Sequence, residues 1–108
     1  MRQFKFRAFN NVSKKMYYEH KVGDVFRWQN EGQVQVIMQY TGLRDKNGVE
    51  IYEGDIVQHM AWDYPFKIIF NQEKARFVCE MRTGLTSYIS TENLEVIGNI
   101  HQNQDLLK

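Results

Sequence analysis

The single cysteine, Cys79, is the one side chain able to act as a thiolate nucleophile, and His20, His59 and His101 are the bases that would have to activate it. Its neighbourhood argues for a different role. In the run Ala75-Arg76-Phe77-Val78-Cys79-Glu80-Met81, Cys79 shares strand parity with Phe77 and Met81, so it faces inward as a small hydrophobe. Arg76 falls on the opposite face, where it would not lower the thiol pKa. His59 and Asp63 are the candidate metal ligands, but a spacing of four converges only on a helix, and this segment reads as a strand running into a Pro65 turn. Glu53 and Asp55 resemble an acid/base pair by proximity, yet a turn accounts for Asp55 and an exposed strand end for Glu53. Gly42, Gly48 and Gly54 are six apart and serve turns, without the spacing of a phosphate loop. The residues therefore lead us to expect no catalytic set, no metal site and no cofactor.

Binding chemistry is better represented. Lys5, Arg7, Lys14, Lys15, Lys21 and Arg27 form a basic set near the start of the chain, and Tyr17, Tyr18 and Trp28 lie among them. Small barrels that bind single strands combine stacking aromatics with cations that follow the phosphates. The competing expectation is that the aromatics complete the core and the cations solvate one sheet face. Residues 1–27 carry seven Lys or Arg against two acids, a local +5, and residues 28–108 carry seven against eleven, a local −4. That asymmetry suits an anion-binding surface or a contact between subunits in which basic and acidic regions meet.

The elements that must position these groups are mainly strands. Gln3 to Ala8 alternates, with Phe4, Phe6 and Ala8 on one face and Lys5 and Arg7 on the other. After a polar break at Asn10, Asn11 and Ser13, Lys15 to Glu19 returns as the second arm of a hairpin. Residues 20–33 read as loops with at most a short strand, because Gly23, Asp24, Asn30 and Gly32 interrupt the apolar positions. Gln33 to Tyr40 alternates again, placing Val34, Val36, Met38 and Tyr40 together.

Asp45-Lys46-Asn47-Gly48 is the strongest turn signal, since Asn and Gly tolerate the positive φ of tight turns, and Gly54-Asp55 is a second. Strands are expected at Ile56–Trp62, Phe66–Phe70, Ala75–Met81, Ser87–Ser90 and Leu94–Ile100, followed by a short terminal helix capped by Asn103. This pattern predicts one 108-residue domain, mainly β, as a closed or nearly closed small barrel or two packed sheets; the favoured arrangement is an N-terminal hairpin region over 1–39 and an SH3-like small barrel over 40–108.

At 108 residues a split into two units would leave each a meagre core, so a single cooperative unit is expected. A lone cysteine points to a reducing compartment, and no stretch approaches a membrane span or a signal-peptide core. A net charge of +1 does not by itself announce a polyanionic partner.

The segment QYTGLRDKNGVEIYEGDIV at residues 39–57 resembles the hallmark of the YopX family of phage and prophage proteins. FKFRAFNNVSKKM at 4–16 is similar to the family's opening strand and turn, and EVIGNI at 95–100 to its closing strand. Phe9-Asn10 stands where Trp-Asp is usual, and Gln104 where proline is common. The resemblance implies a β-rich fold with an SH3-like barrel and a genome context of phages or prophages in bacteria, and carries over no catalytic residues. The expected cytoplasmic setting rests on the lone cysteine and the missing signal and membrane segments. The combined expectation is a non-enzymatic accessory protein that self-associates, with nucleic acid or a phage or host protein as the other partner classes and no membrane.

Overall fold

The computed structural model describes residues 4–107. Gln3, where the first strand is expected to begin, and Arg2 and Lys108, which enter the charge count, lie outside them. The architecture is mainly β, in two sheets. The first is ordered β2-β1-β3-β4, from β1 (Phe6–Asn10), β2 (Lys15–Tyr18), β3 (Val36–Arg44) and β4 (Glu50–Tyr52). The second is ordered β8-β7-β6-β5-β9, from β5 (Asp55–His59), β6 (Phe66–Asn71), β7 (Arg76–Glu80), β8 (Thr86–Ser87) and β9 (Leu94–Asn99). It curls as a half-barrel around a core of Val57, Phe66, Ile68, Cys79 and Leu94, and Ile51 of β4 enters that same core from the first sheet.

Residues 20–33 depart from the sequence reading. A seven-residue helix, α1 (Asp24–Asn30), replaces the expected loop. So short a helix gains little from propensity and is held by packing. Val25 is fully buried with Ala8 and Val34, and Trp28 closes over that cluster one turn later. The Glu19 carboxylate accepts hydrogen bonds from the Gly23 and Val25 N–H groups at 2.9 and 3.2 Å, and from the Phe6 N–H at 3.0 Å. One side chain thus fastens the helix start to the first strand.

Central placement of β1 explains a second departure. The strand hydrogen-bonds to β2 on one side and β3 on the other, and both its faces are covered. Phe6 and Ala8 pack under α1. Arg7 and Phe9 turn the other way, beside Met38 and Val36 of β3, and both are buried. The expected alternation is present, but the face read as polar and solvated is an interior one. Val34 lies ahead of β3 and joins the Ala8 cluster, not the Val36, Met38 and Tyr40 face.

The terminal segment is a single 3-10 turn at Gln104–Leu107, with the Leu106 N–H bonded to the Asn103 carbonyl. The Asn103 side chain reaches back to accept the Asn99 N–H at 3.1 Å.

Candidate functional site

The most chemically loaded position is the junction of the two sheets. Arg7 projects from β1 to Asp55, the first residue of β5, with Nη2 to Oδ1 at 2.8 Å. Both are buried, at 3% and 2% exposure. The guanidinium lies 4.8 Å from the Tyr52 ring centre, and donates to the Glu53 carbonyl at 3.3 Å and the Tyr18 hydroxyl at 3.5 Å. The second Asp55 oxygen accepts the Tyr52 N–H at 2.7 Å. Burial raises the Asp55 carboxyl above its ordinary range, and Arg7 and the Tyr52 N–H oppose that rise. His101 completes the surroundings. Its ring stacks on Phe9 at 5.1 Å, and burial, reinforced by Arg7, holds its pKa below the ordinary value.

These contacts correct two sequence readings. Arg7 is not an exposed contact residue, because the charge is spent inside the fold on Asp55. Asp55 does follow a turn, with Gly54 at φ +88, but its carboxylate also anchors the hairpin sheet to the half-barrel. Strand parity places Arg7 on the face opposite Phe6, yet parity alone does not tell that the opposite face meets a second sheet.

The rest of the basic set divides in two. Lys5 pairs with Glu50 at 2.6 Å, and Arg27 lies within 3.7 Å of Asp24 and 3.6 Å of Glu31. Lys14, Lys15 and Lys21 are exposed and have no carboxylate within ion-pair distance among the described residues. Three of the six described cations of residues 1–27 are therefore paired with acids of the later region.

The hallmark turn is built by Asp45. One carboxylate oxygen accepts the Asn47 and Val49 N–H groups at 2.8 and 2.9 Å, and the other accepts the Val96 N–H of β9 at 2.9 Å. Burial would raise this carboxyl, but the three donors prevail and hold it below the ordinary range. Gly48 takes the expected positive φ, +83. Asn47 does not; its amide instead donates to Glu95 at 3.1 Å. Composition marks the turn, whereas Asp45's grip on a strand some fifty residues away has no local signal.

The candidate nucleophile and metal ligands lie apart. Cys79 is buried as parity predicts, and burial pushes its thiol up to about 11. His59 accepts the Ala61 N–H through Nδ1 at 3.0 Å and sets its ring edge against Trp62. Glu53, half-buried, accepts the Gln39 N–H at 3.3 Å. No group of three or more metal-ligating side chains converges among the described residues.

Clefts open at several places on the surface formed by the described residues. One of about 490 Å³ lies between Pro65, Met81, Arg82 and Leu107, and Lys67 and Glu80 on its wall pair with each other at 3.1 Å. A second, about 390 Å³, lies between Tyr17 of β2 and Trp28 of α1, over Val34, with Asn10 and Gln33 at its sides. A third, about 270 Å³, follows the sheet junction past Glu53 and His101.

Fold and surface together define a small mainly β protein whose two sheets are tied by a buried ion pair and whose clefts are lined by aromatic and aliphatic side chains. The model of the YopX protein family matches residues 19–108, and the chain belongs to that family. The match begins after the opening hairpin, whose likeness to the family rests on residues 4–16. The chain is similar throughout to protein EF1440 from Enterococcus faecalis, known from a crystal structure, with 28% identity, a TM-score of 0.72 and full coverage of both chains. No curated protein matches it. No helix among the described residues is long and apolar enough to cross a membrane.

Proposed function

We propose that the protein is a cytoplasmic phage or prophage accessory protein that works as a non-enzymatic interaction module, self-associating through the outer rim of β2. The observation that carries this reading is the uneven protection of the sheet edges. Open edges invite pairing with another chain, and folds commonly cover them. The rim of β9 is covered by the hallmark turn, through the Lys46 N–H on the Leu94 carbonyl and Asp45 on the Val96 N–H, and at its end by Asn103. On β4, the Tyr52 N–H is taken by Asp55. β8 is only two residues long. β2 runs for four residues with no strand beyond it among the described residues, and it leaves Tyr17 and Tyr18 41% and 51% exposed.

Register indicates which groups face outward. The Phe9 carbonyl is bonded to Gln35 on the β3 side, so its partner Met16 directs its own N–H and carbonyl away from β1. A second copy could pair antiparallel with these outward groups about a twofold axis at Tyr17, Met16 of each chain opposite Tyr18 of the other. The side chains suited to catalysis support the same reading, because Cys79, Asp55 and His59 are committed to core or backbone contacts.

Light scattering after size exclusion tests this at tens of micromolar protein. The wild type should run as a dimer or larger, and Met16→Pro, which removes an outward N–H without costing a β1 bond, should run as a folded monomer. A wild type that stays monomeric would remove self-association. A folded Met16→Pro protein with unchanged assembly would remove the β2 rim as its site.

A further inference from the structure

We propose that the cleft between Tyr17 and Trp28 is a stacking site for a base of single-stranded nucleic acid, with Lys14 and Lys15 placed for its phosphates. This site is on the α1 face of the hairpin, not on its rim, so it does not depend on self-association.

Tyr17, 41% exposed, offers a ring face on which one base can stack, lying on that ring and not between it and Trp28. The two rings stand edge to face, 6.3 Å apart at 63°, above Val34, which is buried. The opening of about 390 Å³ falls in the ordinary range for small-ligand pockets. The sides are held in place before any ligand arrives. Asn10 donates to the Gln33 carbonyl at 2.6 Å, and its Oδ1 accepts the Val12 and Ser13 N–H groups at 2.8 Å each, fastening the hairpin turn to the segment after α1.

Charge selects the class of occupant. Lys15 is the cross-strand partner of Asn10 and shares parity with Tyr17, so it projects on the cleft's face. Lys14, exposed at the hairpin end, precedes it, and neither lysine has a carboxylate within ion-pair distance among the described residues. Among the described residues no carboxylate lines the cleft. Glu31 comes near through a 3.4 Å contact with Gln33, and it already faces Arg27 at 3.6 Å. Unpaired cations beside exposed ring surface match a phosphate-linked chain of bases better than a neutral peptide.

The test titrates the full chain into fluorescein-labelled oligothymidine and oligouridine at about 20 mM salt, reading anisotropy. A Trp62→Phe background leaves Trp28 as the remaining indole, so its quenching reports on the cleft. Saturable binding with Trp28 quenching is expected, about tenfold weaker for Tyr17→Ala and for Lys15→Glu. Lys74→Glu, an exposed charge in the β6–β7 turn, should leave affinity unchanged. Binding should also survive Met16→Pro, separating this site from the rim. No binding at low salt, or an equal loss with Lys74→Glu, would overturn the proposal. Quenching by a neutral proline- and tryptophan-free peptide but not by either oligonucleotide would overturn it in favour of a peptide groove.

Discussion

Arg7 and Asp55 each neutralise a charge that the fold would otherwise bury alone. Removing one partner of such a pair commonly costs about 3–5 kcal/mol, far more than breaking an exposed ion pair. Arg7→Met should therefore destabilise by several kcal/mol in urea denaturation. Adding Asp55→Asn should restore part of that loss, because the amide still accepts the Tyr52 N–H but no longer carries charge. A loss below about 1 kcal/mol for Arg7→Met would mean that the pair does not hold the sheets together. His101 allows a second prediction at this scale. Its folded pKa is lowered, so the unfolded chain binds the proton more readily, and stability falls as pH drops below the ordinary histidine value of about 6.5. Asp55, with a raised folded pKa, contributes in the opposite sense. Urea midpoints between neutral pH and about pH 5 should fall for the wild type and flatten for His101→Phe, which keeps a ring against Phe9. An unchanged slope in that variant would assign the effect elsewhere.

Among the elements, the Asp45–Val49 turn ties local geometry to long-range order. The Gly48 N–H donates to the Asp45 carbonyl at 3.0 Å, and the Asp45 N–H to the Val49 carbonyl at 2.8 Å, so the glycine falls at the left-handed position of the hairpin. A Cβ at Gly48 would meet nothing within 4 Å, which leaves backbone strain as the cost of substitution. Gly48→Val should lower stability by about 1 kcal/mol or more, measured by thermal denaturation. Full retention of stability would contradict the positive φ. The same turn covers the rim of β9, so a loosened variant should also expose a strand edge, seen as faster amide exchange at Val96. Helix α1 shows the opposite relation between sequence and element. Gly23 and Asp24 read as breakers, yet Asp24 accepts the His20 and Lys21 N–H groups and sets the turn that launches the helix.

At the scale of the whole molecule, about half of the described basic charge of the opening region acts within the fold. The basic opening strand meets the acidic remainder through Lys5–Glu50 and Arg7–Asp55, and these pairs bind the hairpin to the rest of the protein. Among the described residues, the unpaired cations of that region, Lys14, Lys15 and Lys21, lie at the hairpin end and before α1. Self-association through the β2 rim and stacking in the Tyr17–Trp28 cleft would then use two different surfaces of one hairpin. Their separate responses to Met16→Pro and Lys15→Glu are the expected signature. Joint loss of both activities in Met16→Pro, with the fold intact, would show that the cleft needs the assembled form.

Alternation, turn residues and apolar runs sufficed to mark most of the strands, the inward face of Cys79, the Gly48 turn and the mainly β class. Each of these depends on near neighbours in the chain, where side-chain period and backbone sterics act directly. The burial of Arg7, the second function of Asp55, the hold of Asp45 on β9 and the helix at 24–30 were decided by tertiary structure. They depend on which distant segment covers a face or supplies a partner, and a short peptide carries no trace of a neighbour fifty residues away. The Tyr17–Trp28 cleft belongs to the same group: the chain shows two aromatics, and only the packing of α1 on the hairpin turns them toward one opening.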